Sequence, residues 1–144
     1  MENASMMSFD ELPADVREWL TTWEQHIRQL RFDEAEQLFD VNVHSYGTVM
    51  SVVTGRPALV AHQWRAVWPR TRGFRFVPES IKGWGCHGLF SIAAQWSSEG
   101  LDAHSGEPFQ REGRATMVLH ELDGRWHAVH THLSINPAPE PFLQ

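Results

Sequence analysis

The first clear pattern along the chain is an apolar stripe with the period of an α-helix. Apolar residues recur at spacings of three and four between positions 16 and 30, and polar residues fill the intervening positions. Pro13 precedes the stripe and suits a first helical turn, where its missing N–H loses no hydrogen bond. The pattern predicts a helix over residues 13–30.

Two shorter helical segments follow the first. Asp33 and Glu36 form the D-x-x-E pattern of a capping box, which predicts a short helix that runs through Phe39. Pro57 begins a third helical pattern, and Pro69 ends it because proline cannot continue a helix.

The rest of the chain has the alternating pattern of β-strands. Residues 41–54 mix β-branched residues with glycine and predict one or two short strands. A glycine-rich stretch at 83–88 separates the first later strand from the second, and Leu122-Asp123-Gly124 predicts a hairpin with a three-residue loop. The later strands are predicted at 74–82, 89–98, 111–122 and 125–135.

This order of elements predicts an α+β domain with its helices on one face of an antiparallel sheet. A chain of 144 residues has the length of one domain. We expect residues 1–12 to form a flexible lead-in, residues 13–136 the domain, and residues 137–144 a proline-rich tail.

Composition narrows the classes of function. The net charge of −6 and the lack of a basic run argue against nucleic-acid binding. No secretory signal and no membrane span is recognisable, so we expect no membrane partner and a cytoplasmic location. A single cysteine, Cys86, excludes an intrachain disulfide and a zinc site built on cysteines.

Two stretches carry a family resemblance. Asp123-Gly124-Arg125-Trp126, followed by Val129-His130-Thr131-His132-Leu133-Ser134, resembles the D-G-[KR]-W and V-H-x-H-x-S hairpin of the calcium/calmodulin-dependent protein kinase II association domain, and SnoaL-like bacterial proteins are similar here. The segment from Phe39 through Gly55 to Trp68 resembles that domain's connection between its second and third helices.

The resemblance spans residues 13–137 and places the chain in the nuclear transport factor 2-like superfamily. It implies a cone-shaped fold, with three N-terminal helices on a curved antiparallel sheet, and it implies subunit assembly and a deep pocket. The arginines that line the association domain's pocket correspond to Ile92, Met117 and Leu133, so we do not expect an anion to be held in the same way. No kinase signature is present, and we expect no kinase activity.

Alternation along the strands separates two faces of the sheet. With a three-residue loop, His127 falls on the inner, apolar face and Trp126 on the outer face. We expect the inner face and the helices to enclose a mostly apolar pocket. The predicted pocket residues are Tyr46, Trp64, Ile92, Trp96, Met117, Val129, Thr131 and Leu133.

The outer face mixes polar and aromatic residues, which favours an interface between subunits over a solvated face, and a dimer at least. The predicted interface residues are Arg114, Thr116, His130, His132 and Ser134. His130 and His132 lie about 6.6 Å apart along one face, at about 3.3 Å per residue. His120, the candidate third ligand, would lie roughly 13 Å further along, so we expect no metal site.

Two functions remain open from the sequence. The first is a stand-alone, non-catalytic oligomeric domain with a pocket for a small hydrophobic ligand. The alternative is a cofactor-free isomerase, dehydratase or cyclase of the ketosteroid isomerase and SnoaL type, acting on a hydrophobic carbonyl compound. Asp40, His44 and Tyr46 are the candidate catalytic residues for the alternative.

Overall fold

A computed structural model describes residues 5–143 of the chain. Residues 1–4, where the predicted lead-in begins, and Gln144, where the predicted tail ends, lie outside the described residues. The helices and strands in chain order are β1 (Met7–Ser8), α1 (Ala14–Gln29), α2 (Phe32–Glu36), β2 (Phe39–Tyr46), β3 (Val53–Thr54), α3 (Arg56–Ala58), α4 (Arg65–Val67), β4 (Thr71–Phe76), β5 (Lys82–Cys86), β6 (Leu89–Leu101), β7 (Pro108–Leu122) and β8 (Arg125–Ile135).

The strands form one curved sheet in the order β1-β5-β6-β7-β8-β2-β3, and β4 pairs with β6 outside this path. β2 and β8 run parallel, whereas the other pairs are antiparallel. One buried cluster joins the helices to one face of the sheet. The predicted α+β architecture is therefore confirmed.

The first helix forms where its apolar stripe predicts it. Val16, Leu20, Trp23 and Ile27 are buried, and the helix ends at Leu30, whose left-handed φ of 56° closes the last turn. None of the described helices combines the length and the hydropathy that a membrane crossing requires.

The third helical segment is continuous but changes its winding. A π-helical turn, Leu59–Trp64, joins α3 to α4, and a 3-10 turn, Trp68–Arg70, follows. The π turn places Gln63 on the buried side beside Trp64, with 8% and 3% of their surfaces exposed. Such turns are frequent at functional sites because they re-aim side chains.

The structure corrects the expectations for the N-terminal region. Met7 and Ser8 pair with β5, and Leu12 is only 2% exposed, so the part of the lead-in that the structure describes belongs to the fold. The second helix follows Arg31 without a side-chain cap and ends at Glu36, so the predicted capping box is wrong. Phe39 lies in β2 because its fully buried ring packs into the core.

The predicted strand at 74–82 is divided into two. A 3-10 turn at Pro78–Ser80 separates β4 from β5, because proline supplies no N–H to a strand ladder. Residues 83–86 of the glycine-rich stretch lie in β5, and only His87 and Gly88 form the turn that separates β5 from β6. A Cβ at Gly83 or Gly85 would lie 2.7 or 2.6 Å from the ring of Phe90, so these glycines let that ring cross the strand.

The last hairpin differs from its predicted register. Asp123 and Gly124, with φ of 53° and 75°, form a two-residue turn, and Leu122 pairs with Arg125. A bulge then leaves Val129 without a cross-strand partner.

These two shifts exchange the predicted faces of two residues. Trp126 turns inward, with its ring 6.1 Å from that of Phe90, whereas His127 lies opposite His120 on the outer face. Beyond the bulge, the extra residue at Val129 offsets the shorter turn. Thr131 and His132 therefore lie on the faces that the alternation predicts.

Candidate functional site

A cavity lies between the inner face of the sheet and the helical segment from Arg56 to Arg70. The cavity volume is about 50 Å³, which is room for a few water molecules. The lining residues are Trp23, Ile27, Tyr46, Gly47, Thr48, Leu59, Gln63, Trp64, Val67, Trp68, Thr71, Phe74, Trp96, Arg111, Thr131 and Leu133.

Tryptophan rings form much of the cavity wall. Trp64 and Trp68 stack with their ring centres 4.5 Å apart and their planes 18° from parallel. Trp96 lies 5.6 Å from Phe74, and all four rings are buried. The indole N–H of Trp23 is buried without an acceptor among the described residues. The wall therefore suits an apolar or aromatic group and leaves one buried donor unmatched.

A buried glutamine fixes the loop after β2. The Oε1 atom of Gln63 accepts hydrogen bonds from the backbone N–H groups of Met50 and Val49, at 2.8 and 3.3 Å. Its Nε2 group donates to Thr48 Oγ1 at 3.5 Å. Gly47 approaches the amide so closely that a Cβ there would lie 2.5 Å from its carbon. These contacts hold the loop at the edge of the cavity.

Arg111 brings the one cationic side chain of the lining to the cavity. Its Nη2 group donates to Thr48 Oγ1 at 3.3 Å, and its guanidinium carbon lies 5.5 Å from the centre of the Trp96 ring. Burial lowers the pKa of Arg111 because it disfavours the charged form. Arginine nevertheless remains protonated at neutral pH, so a half-buried positive charge borders the apolar wall.

The predicted pocket residues divide into two groups. Tyr46, Trp64, Trp96, Thr131 and Leu133 line the cavity. Ile92 and Met117 do not, because they pair across β6 and β7 within the core, at 1% and 0% exposure. Val129 does not line it either, because the bulge displaces it from the inner row.

The candidate catalytic residues do not meet inside the cavity. Asp40 lies on β2 and accepts a hydrogen bond from the backbone N–H of Asn42 at 2.8 Å. His44 is exposed, with its Nδ1 atom 3.0 Å from Thr54 Oγ1. Tyr46 borders the cavity, but its ring packs against the ring of His44, with the ring centres 5.5 Å apart. None of the described residues that line the cavity is an Asp, Glu or His.

The predicted interface residues lie together on the outer face. Thr116 is opposite His132, and Arg114 is opposite Ser134. His130 Nδ1 lies 2.6 Å from the carbonyl oxygen of His44. Because a carbonyl only accepts, Nδ1 donates the proton in this contact.

An aromatic cluster joins β2 to this face. The centre of the Tyr46 ring lies 5.3 Å from the centre of the His130 ring and 5.2 Å from the centre of the His132 ring. His120, considered as a third metal ligand, lies opposite His127 instead. Within residues 5–143, no three or more His, Cys, Asp or Glu side chains are arranged to hold a metal ion.

Sequence reasoning did not select Gln63 and Arg111. Gln63 is the one polar residue among the buried positions of the π-helical turn. Arg111 shares the phase of Gly113, Ala115 and Met117, which alternation assigns to the inner face. A charged residue in phase with an apolar row was the signal that could have identified it.

Comparison with known proteins supports a family assignment. The SnoaL-like domain family matches residues 16–139. A solved nuclear transport factor 2-like superfamily protein from Salmonella enterica serovar Typhimurium is 13% identical, with a TM-score of 0.76 over 88% of this chain and 92% of that chain. No curated protein matches the sequence.

Two further solved structures resemble the chain in fold. A protein provisionally named as a calcium/calmodulin-dependent protein kinase II association domain, from Xanthomonas campestris, is 19% identical, with a TM-score of 0.65 over 88% of this chain and 92% of that chain. A protein provisionally named as a scytalone dehydratase, from Novosphingobium aromaticivorans, is 12% identical, with a TM-score of 0.71 over 85% of this chain and 83% of that chain.

Proposed function

The chain belongs to the SnoaL-like domain family, and from that premise we propose that it is an oligomeric domain that binds a small, mostly apolar molecule and catalyses no reaction. The observation that carries the proposal is the composition of the cavity. Its wall is largely tryptophan and aliphatic, and its described lining contains no carboxylate or imidazole to move a proton. Acid–base catalysis needs such a group within hydrogen-bonding reach of the substrate.

The oligomeric part of the proposal is supported by the outer face of the sheet. Arg114, Thr116, His130, His132 and Ser134 lie there in two adjacent strands. Tyr46 extends the same surface with an aromatic ring that is 38% exposed. Tyrosine and arginine are enriched at interfaces between subunits. The fold likeness to the Xanthomonas protein, named for an association domain, favours assembly as well.

Ligand binding is tested with two neutral apolar probes, 1-hexanol and benzyl alcohol. The melting temperature of the protein and the fluorescence of the cavity tryptophans report whether each probe binds. A ligand that binds the folded state alone raises the melting temperature. In a Leu133→Phe variant, a larger ring fills part of the cavity and we expect the effect of both probes to fall. Leu89→Phe, at an exposed position, is the matched control. If neither probe raises the melting temperature at millimolar concentration, the binding function is refuted.

An enzymatic function is the second candidate, and the polar side of the cavity favours it. Gln63, Thr48 and Arg111 place an amide, a hydroxyl and a positive charge beside an apolar wall. When a buffer base or hydroxide from solvent takes the α-proton of a bound ketone, this positive charge can stabilise the enolate that forms. The dehydratase name of the Novosphingobium structure is in keeping with such chemistry. Exchange of α-protons for deuterium in a cyclic ketone, followed by NMR, tests it. If the protein exchanges these protons faster than buffer does, and Arg111→Met abolishes the excess rate, a catalytic function would replace the binding proposal.

A further inference from the structure

Arg111 carries a positive charge that no carboxylate of the described chain neutralises. Within residues 5–143 the one ion pair joins Arg72 to Glu99, and both of those side chains are more than half exposed. Arg111 is half-buried, and the hydrogen bond shown for its guanidinium ends on the hydroxyl of Thr48. A partly desolvated cation without a counterion favours the binding of an anion at the same place.

The guanidinium is held in place from three sides. Its Nη2 group is bonded to Thr48, and its plane lies near the ring of Trp96. The side chain runs over Gly100, where a Cβ would lie 2.7 Å from the Cδ atom of Arg111. Thr48 is itself bonded to Gln63, which the π-helical turn fixes. A fixed guanidinium loses little conformational entropy when it binds a planar partner.

The guanidinium of Arg111 offers donor groups to a ligand in the cavity. It can only donate, and the hydrogen bond shown for it, to Thr48 Oγ1, uses Nη2 alone. A carboxylate supplies acceptors alone, and its two oxygens match the geometry of an arginine side chain. Because most of the remaining wall is aromatic and aliphatic, we expect the rest of such a ligand to be largely apolar.

A shallow cleft beside the cavity gives the room that the cavity lacks. It shares Val67, Thr71 and Arg111 with the cavity and adds Val49 and Phe109 at its rim. Its volume is about 200 Å³. Val49 and Phe109 are 59% and 48% exposed and make part of the rim apolar, whereas the exposed Arg70 adds a second positive charge to the cleft. The combined space suits a short aliphatic chain or a single ring rather than a large molecule.

We propose, resting on the binding function above, that the ligands of this domain are small amphipathic carboxylates, with the carboxylate on Arg111 and the apolar part against the tryptophan wall. This contact differs from the arginine positions of the association domains, which Ile92, Met117 and Leu133 occupy here. Arg111 enters from β7 six residues before Met117, about 20 Å away along the strand at about 3.3 Å per residue.

Hexanoate and 1-hexanol provide a matched pair for the test, because they have the same chain length and differ in charge. By titration calorimetry, we expect the protein to bind hexanoate about tenfold or more tightly than hexanol, and we expect this preference to fall as sodium chloride is raised. Arg111→Met keeps an unbranched, mostly apolar side chain and removes the charge. In this variant hexanoate should lose its preference, while the affinity for hexanol changes by less than about twofold.

Two further variants distinguish the carboxylate contact from a general effect of charge. Arg111→Lys keeps the charge without the planar donor pair, so the preference for hexanoate should decrease but persist. Arg125→Met removes an exposed arginine on β8 and should leave both affinities unchanged. Circular dichroism establishes that each variant is folded, and the salt dependence of the parent protein tests the charge without any substitution.

The outcomes separate this inference from the function on which it rests. Equal binding of hexanoate and hexanol by the parent protein would overturn the carboxylate assignment and leave the apolar pocket intact. A preference for hexanoate that survives in Arg111→Met would overturn the role of Arg111. Absence of binding by both probes would remove the proposed function together with the inference.

Discussion

The hydroxyl oxygens of Ser45 and Thr131 lie 2.8 Å apart between the parallel strands β2 and β8. The two residues are 2% and 3% exposed and stand 86 positions apart in the chain. Each hydroxyl satisfies the other where both side chains are almost fully buried. The pair therefore joins the two strands that bring Tyr46 and Leu133 to the cavity.

Removal of one hydroxyl should cost more than removal of both. Thr131→Val leaves the Ser45 hydroxyl buried without a partner, and we expect the free energy of unfolding to fall by about 1–3 kcal/mol. Adding Ser45→Ala should restore part of the loss, because no polar group then remains unpaired. Urea unfolding of the two single variants and the double variant measures the coupling. Additive losses would show that the hydroxyls are not paired.

Gly113 should tolerate no side chain. A Cβ at this position would overlap the Trp96 ring and the carbonyl oxygen of Ser134. The ring cannot move away freely, because its indole N–H donates to the carbonyl oxygen of Arg114 at 3.2 Å. We expect Gly113→Ala to destabilise the fold by about 1–3 kcal/mol, measured by urea unfolding.

The neighbouring Glu112 is exposed and supplies the control. Glu112→Ala should change the stability by less than about 0.5 kcal/mol. If Gly113→Ala unfolds at the same urea concentration as the parent protein, the contact between β7 and the Trp96 ring is not as close as described.

Periodicity predicts the fold well where one face of an element is buried. The stripe from Val16 to Ile27 predicts α1 because a helix that buries one side must repeat apolar residues every three to four positions. The alternation in β6 and β7 predicts the inner row for the same reason. Motifs in the last hairpin predict the family, which the SnoaL-like match confirms.

Other features depend on contacts that are distant in sequence. The two-residue turn at Asp123-Gly124 and the bulge at Val129 are local backbone choices that leave the residue pattern almost unchanged, so the faces of Trp126 and His127 were predicted wrongly. Arg111 belongs to the cavity because Thr48 and Trp96 approach it from other elements. No spacing along the chain encodes that approach.

His26 should make the fold less stable in mild acid. Burial lowers its pKa from the ordinary 6.5, and Arg31 acts in the same direction, whereas Glu34 opposes the change. Above pH 6.5 the imidazole is neutral in the folded and unfolded states, so its contribution to stability is fully present. As the pH falls through the lowered folded pKa, the unfolded chain takes up the proton more readily and stability is lost.

The loss is measured by urea unfolding at about pH 7.5 and about pH 5.5. In His26→Gln, the difference in stability between the two conditions should be smaller than in the parent protein. His62→Gln, at an exposed position of the third helical segment, is the matched control and should leave the difference unchanged. An equal acid loss in His26→Gln and the parent protein would exclude His26 as its source.

Met117 should not accept a positive charge. It is fully buried and pairs with Ile92 beneath the helices rather than along the cavity. Met117→Arg would place a cation in the core without a counterion, and we expect a loss of several kcal/mol, enough to unfold the domain. Thermal unfolding monitored by circular dichroism tests this. Retention of the parent melting temperature would mean that water reaches this position, contrary to its burial.

Thr116, next to Met117 in the chain, should accept a positive charge without loss of the fold, and the substitution tests assembly. Thr116 is exposed on the outer face, opposite His132, so Thr116→Arg should preserve the fold. If the proposed interface is correct, each subunit of the dimer brings the new arginine, together with Arg114, to the same contact surface. Repulsion between these positive charges should separate the subunits. Glu79→Arg, exposed on the turn after β4, introduces an arginine away from this face, with an even larger change of net charge, and should not change the mass.

Light scattering on a sizing column at tens of micromolar measures these masses. We expect the parent protein and Glu79→Arg to have the mass of a dimer at least, and Thr116→Arg to have the mass of one chain. Substituting His130 and His132 together with Asn should also weaken the assembly while the fold persists, because the aromatic contacts of Tyr46 are lost from the same surface. A monomeric parent would refute assembly. A parent oligomer that Thr116→Arg leaves intact would place the interface elsewhere on the domain.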